Sequence, residues 1–228
     1  VYPDDILQHL QSLADPDALE GMARYGIGTQ RALGVRIPHL RKLAKRIGTD
    51  HALAGQLWDA AYRETRILAS MVDDPAQVTE AQAEAWAADF ADWEVCDQCC
   101  MNLLAYVPFA RRKAVEWTAR DEEFVKRAGF VLMARLAVSE KKAGDETFEA
   151  FLPIIVRESG DDRSAVKKAV NWALRQIGKR NLALNARAIA VAEDIARMDE
   201  GAARWVASDA LRELTSDKVQ ERLRARGI

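Results

Sequence analysis

Asp162-Arg163-Ser164-Ala165-Val166-Lys167-Lys168-Ala169-Val170-Asn171-Trp172-Ala173-Leu174-Arg175-Gln176-Ile177-Gly178 is the stretch from which the fold can be read. At about 100° per residue, Val166, Ala169, Val170, Ala173 and Ile177 fall in one apolar stripe, the pattern of a helix that buries one face. Asp161 or Asp162 stands where a side chain caps such a helix. Lys168, Trp172, Arg175 and Lys179 fall on the opposite side. Between residues 163 and 180 there are six Lys or Arg and no Asp or Glu. A tryptophan among cations suits a phosphate backbone with an aromatic ring against a sugar or base. The same pattern is equally that of a Trp packed on a neighbouring repeat beside an ordinary solvated face.

The rest of the chain reads the same way. Helices are expected near 4–14, 16–25, 38–47, 50–59, 61–73, 79–90, 93–106, 109–119, 122–138, 145–158, 162–178, 182–195, 199–213 and 216–225. Five of the six prolines (Pro3, Pro16, Pro38, Pro75 and Pro108) sit where a helix starts or a turn lies. Pro153 falls inside the 145–158 pattern and marks a start or a kink there. Alternating β-branched runs are missing. About six or seven antiparallel helix pairs, at roughly 35–40 residues each, give an all-α superhelical solenoid of HEAT-like repeats. A compact all-α bundle is the alternative. With no Gly- or Ser-rich linker, residues 1–228 are read as a single domain.

Composition narrows the class. With 49% hydrophobic and 30% charged residues the chain is globular and not disordered. No apolar run spans a membrane and no leader is seen, so a cytoplasmic monomer is expected. The net charge of −2 means that any nucleic-acid surface must gather its cations locally. Cys96, Cys99 and Cys100 lie within five residues of one another. They lack the further ligands that zinc takes, and are read as small core residues.

Two other segments carry chemistry. Trp93 and Asp97 stand one turn apart along one line of a helix whose core stripe is read as Cys96, Cys99, Leu103 and Tyr106. A carboxylate beneath an indole can hold a water or stabilise a cation; an exposed Asp beside a structural Trp fits equally. In the apolar run 124–138, Lys126, Arg127 and Arg135 each need a carboxylate or a phosphate. Arg111, Arg112 and Lys113 add charge just before it.

Taken in order, Gly34-Val35-Arg36-Ile37-Pro38-His39-Leu40-Arg41, Leu57-Trp58, Arg63-Glu64, Trp93-x-x-x-Asp97, Lys126-Arg127 and Lys168-x-x-x-Trp172-x-x-Arg175 resemble the AlkD-like DNA alkylation repair family of HEAT-like-repeat DNA glycosylases. The resemblance covers roughly residues 20–215. It implies a monofunctional enzyme that hydrolyses the N-glycosidic bond of N3- or N7-alkylated purines, such as 7-methylguanine and 3-methyladenine, in duplex DNA without a cofactor or metal. It implies a pocket of Trp93, Trp172, Asp97 and Arg127 on a concave surface, with Tyr25 lining that surface. Lys126, Lys168, Arg175 and Lys179 are the expected DNA contacts. A non-catalytic DNA-binding repeat protein and a protein-interaction scaffold are the other readings.

Overall fold

The structure is a computed structural model and describes residues 2–225. Those residues form α-helices and two single turns of 3-10 helix, with no strand among them. The helices are α1 (Pro3–Ser12), α2 (Pro16–Arg24), α3 (Ile37–Ile47), α4 (His51–Asp59), α5 (Arg63–Val72), α6 (Glu80–Ala88), α7 (Trp93–Asn102) and α8 (Ala110–Glu116). They continue with α9 (Glu123–Ser139), α10 (Asp145–Glu149), α11 (Leu152–Glu158), α12 (Ser164–Gly178), α13 (Leu182–Ile195), α14 (Gly201–Leu214) and α15 (Asp217–Ala225). Two compact units result, Val1–Ala110 and Arg111–Ile228.

Helix starts follow local chemistry. Asp15, Asp50, Thr79, Asp92 and Asn181 each accept a hydrogen bond from an amide in the first turn they precede. Pro3, Pro16, Pro38 and Pro153 sit in first turns, where the missing N–H costs nothing. In the first unit, α5 packs against α3, α4 and α7; in the second, α12 packs against α9, α13 and α14. Gly129 lets α9 approach the turn Trp117–Ala119: a Cβ there would stand 2.8 Å from the Thr118 nitrogen.

A repeat is written in the side-chain hydrogen bonds. In the first unit Trp58 reaches Asp89 and Arg63 reaches Glu94, both 31 residues on, and Asn102 reaches Ser70, 32 residues back. In the second unit Lys126 reaches Glu158 (32 residues), Lys179 reaches Glu213 (34), Asn171 the Val206 carbonyl (35), and Asn181 reaches back to Asp145 (36). These helices are thus pinned to counterparts 31 to 36 residues away, as expected of a stacked array in which a repeat contacts its neighbours.

Four sequence expectations need correction. The helix expected over 93–106 stops at Asn102, and Leu104–Tyr106 is a 3-10 turn. Tyr106 is therefore rotated out of the stripe and is 48% exposed, while Cys96, Cys99 and Leu103 are buried. The helix expected over 109–119 ends its α-helical part at Glu116, with a 3-10 turn after it. The segment 145–158 is not one helix but two, α10 ending at Glu149 and α11 beginning at Leu152; the start expected at Pro153 is found there, because its ring and missing donor do not suit a helix interior. Neither Asp161 nor Asp162 caps α12, whose N-cap is Arg163 without a side-chain cap. Asp161 instead accepts from the Arg163 amide at 3.1 Å and pairs with the Arg163 guanidinium at 2.6 Å.

Candidate functional site

In the first unit lie Trp93, Asp97 and Tyr25. Asp92 starts α7 by accepting from the amides of Glu94 and Val95 at 2.9 and 3.0 Å, and its other oxygen accepts from the Gly28 amide at 3.4 Å. Trp93 is therefore the first residue of a capped helix. Its half-buried indole donates from Nε1 to the Tyr25 carbonyl oxygen at 2.8 Å, while the Tyr25 ring stands out, 77% exposed. Asp97, one turn further along, is buried at 8% exposure, deeper than the helix edge expected from sequence.

A buried ionic network holds this arrangement. The Arg63 Nε donates to Glu94 at 2.7 Å, and its Nη1 donates to Glu64 at 2.8 Å and to the Val35 carbonyl at 3.1 Å. Glu64 accepts from the Leu33 and Val35 amides at 2.9 and 3.2 Å. Arg63 and Glu64 are 5% and 0% exposed, and the bonds that join them to each other and to Val35 are buried. Burial alone would lower the Arg63 pKa; the hydrogen bond and charge of Glu94 and the charge of Glu64 outweigh it, and the guanidinium titrates above its ordinary value. Gly34 turns the chain with φ +79°, a conformation that suits glycine, and brings Val35 back onto Glu64. Residues 25–35 are thus tied to the start of α7 at Tyr25 and Gly28 and to the first turn of α5 at Leu33 and Val35. The sequence marked Arg63-Glu64 without giving it a role. An adjacent Arg–Glu pair opening an otherwise apolar helix was the available signal.

In the second unit lie Arg127 and Trp172. Arg127 is 7% exposed, and its Nη1 donates to the Ala165 carbonyl in the first turn of α12 at 2.5 Å. Trp172 is half-buried midway along α12, on the face away from the stripe Val166, Ala169, Val170, Ala173 and Ile177, all of which is buried. The cations expected to meet DNA have unequal surroundings. Lys126 is held by Glu158 at 2.7 Å and Asp161 at 3.4 Å. Lys179 pairs with Glu213 at 2.6 Å, and Arg175 pairs with Glu213 and, at 3.7 Å, with Asp209. Arg180 donates to the carbonyls of Ala137, Glu140 and Ala143, and Lys167 lies 5.2 Å from the centre of the Trp205 ring. Lys168 is exposed and makes no ion pair among the described residues.

These pairs shift the acids. Burial would raise the Glu213 carboxyl, but hydrogen bonds from Lys179 and Arg175 hold it below its usual range. Against the same opposing burial, Lys126 and Arg157 lower Glu158, and Arg163 lowers Asp161. Cys96, Cys99 and Cys100 are buried thiols outside any disulfide, and burial, with Cys96 and Asp73 adding to it, pushes Cys99 well above the usual thiol value. Among the described residues no cluster of His, Cys, Asp or Glu is placed to hold a metal ion, and no helix is long and apolar enough to cross a membrane.

Comparison with known proteins sets these residues in a family. One solved structure superposes with a TM-score of 0.78 at 16% identity, covering 93% of this chain and 95% of its own. It is described as a new family of proteins related to the HEAT-like repeat DNA glycosylases with affinity for branched DNA structures, and the likeness shows the HEAT-like repeat fold. An engineered protein at 16% identity covers 77% of this chain and 90% of its own, with a TM-score of 0.36, too low to inform the fold. No curated protein sequence matches the chain. A family model described as DNA alkylation repair enzyme matches residues 6–214. With that match running over most of its length, the chain belongs to the DNA alkylation repair enzyme family.

Proposed function

We propose that the protein is a DNA glycosylase that excises positively charged N3- and N7-alkylated purines, 7-methylguanine and 3-methyladenine among them, from duplex DNA. The observation that carries this reading is the pairing of Trp93 with Asp97: a half-buried indole anchored on the Tyr25 carbonyl, one helical turn from a buried carboxylate.

The chemistry asks for little else. An alkylated purine already carries a positive charge, so the glycosidic electron pair moves onto the base and the base leaves neutral. Positive charge grows on the deoxyribose as that bond breaks. Water adds its oxygen to C1′ and releases a proton. Asp97 stabilises the growing cation and orients the water. The faces of Trp93 and Trp172 hold the sugar and attract the same charge. Arg127 clamps a phosphate beside the lesion. Tyr25 presents its exposed ring to the backbone. Lys168 contacts a phosphate directly, while Lys126, Arg175 and Lys179 exchange their carboxylate partners for phosphate on binding. Because the leaving group needs no protonation, no cofactor or metal has a step to perform.

Incubation with methylated duplex DNA, followed by chromatography of the free bases, tests the reading. Release of 7-methylguanine or 3-methyladenine is expected. Salt-sensitive binding without any release would reject excision and favour a second reading, a non-catalytic DNA-binding repeat protein. That second reading draws its support from the structural neighbour with affinity for branched DNA, and it predicts tighter binding to a four-way junction than to a linear duplex.

A further inference from the structure

The six cations between residues 163 and 180 point, on sequence alone, to α12 as the phosphate-binding helix. Five of them have partners inside the second unit: Arg163 with Asp161, Lys167 with the Trp205 ring, Arg175 and Lys179 with Glu213, and Arg180 with three carbonyls. Four cations without an ion pair among the described residues stand together on one helix of the first unit. Helix α3 reads Ile37-Pro-His-Leu-Arg-Lys-Leu-Ala-Lys-Arg-Ile47 and contains no acid. Arg41, Lys42, Lys45 and Arg46 are all solvent-facing, and none of them makes an ion pair among the described residues. At about 100° per residue the four cover roughly 140° of one face.

The opposite face is occupied. Leu40 is fully buried, Ile37, Leu43, Ala44 and Ile47 are half-buried, and the helix packs on α5. A basic helix that binds a bilayer needs its apolar face free to enter the lipid, and here that face is spent on the protein core. Lys45 and Arg46 suit the negative end of the helix dipole. Arg41 and Lys42 stand further back in the helix, where the dipole gives them no such role. The segment leading into α3 is also rigidly placed: the Leu33 and Val35 amides are held by Glu64, whose partner Arg63 also binds Glu94 beside Trp93.

We infer that α3 is a phosphate-backbone grip for duplex DNA, its Arg41, Lys42, Lys45 and Arg46 supplying the main salt-sensitive contact of the first unit. The inference shares with the proposed function only the assumption that duplex DNA is the partner; it does not require excision.

The test replaces Arg41→Gln, Lys42→Gln, Lys45→Gln and Arg46→Gln together in the full chain and follows binding to a labelled linear duplex across a salt series. Removing one cation from a phosphate flattens the slope of log affinity against log salt by about 0.9, so a decrease of up to about 3.6 is expected for the four. A control carrying Lys218→Gln, Arg222→Gln and Arg224→Gln, all exposed on α15, should leave the slope unchanged. A melting curve like that of the parent protein shows that the variant is folded. An unchanged slope, an equal flattening in the control, absence of duplex binding by the parent, or loss of binding to phosphatidylserine vesicles without loss of binding to DNA would each overturn the grip. If the slope flattens as expected while the parent releases no methylated base, the grip stands and excision falls.

Discussion

The indole Nε1 of Trp93 donates to the main-chain carbonyl oxygen of Tyr25 at 2.8 Å, joining two residues 68 apart in sequence. The bond fixes the plane of one aromatic side chain with the backbone of the other, so the two are placed together. An indole used to hold a sugar must be held itself, because a misplaced group loses much of its effect on a reaction.

Trp93→Phe keeps an aromatic face and removes the donor. A net hydrogen bond is worth about 0.5–1.5 kcal/mol, so single-turnover excision should fall by up to about tenfold. Trp93→Ala, which also loses the face, should fall further. Equal losses in the two variants would mean that the ring contributes nothing beyond its anchor.

Glu64 is fully buried and satisfies two amides and a guanidinium. Glu64→Ala strands the Leu33 and Val35 amides and takes from Arg63 one of its two carboxylates, and breaking a buried pair typically costs about 3–5 kcal/mol. Glu64→Gln keeps one acceptor oxygen and should cost less. Denaturant unfolding measures both, and a cost below about 1 kcal/mol for Glu64→Ala would remove the network from its proposed place holding residues 25–35.

Glu213→Gln removes the charge that Arg175 and Lys179 share. If these two cations turn to phosphate, the variant should bind duplex DNA more tightly, with a salt slope steeper by up to about 1.8. An unchanged slope would confine both cations to tying α12 to α14.

Acid should loosen the second unit. Glu158, Asp161 and Glu213 are held below their usual values by their cationic partners. Carboxyls lowered in the folded state stabilise it fully above their unfolded values, about 3.9 for Asp and 4.3 for Glu, and lose that contribution as pH falls through the lowered ones. The melting temperature should therefore hold steady between about pH 7 and 5 and drop below about pH 4. Lys126→Met should blunt the drop; an acid limb of equal steepness with and without Lys126 would contradict the assignment.

Much of the fold was legible because helix ends are local. Pro3, Pro16 and Pro38 open the helices expected of them within a few residues of sequence. The stripe of α12 was legible for the same reason. What periodicity cannot carry is the partner one helix pair away. Lys126 with Glu158 and Lys179 with Glu213 meet across 32 and 34 residues, so two cations expected on DNA have carboxylate partners that the sequence did not show. Tyr106 misled because the helix tightens to a 3-10 turn just before it, which changes the angle at which every later side chain leaves. The Trp93–Asp97 spacing placed both residues on one helix line but did not show how deep Asp97 lies.

Asp97→Asn tests the central claim most directly, read as the single-turnover release of 7-methylguanine from methylated duplex DNA with affinity for the same duplex measured alongside. Loss of one electrostatic stabiliser should slow release by about 10²–10³-fold and leave affinity within a few-fold of the parent protein. Release at the parent rate, or a parent protein that binds the duplex and frees no base, would contradict it.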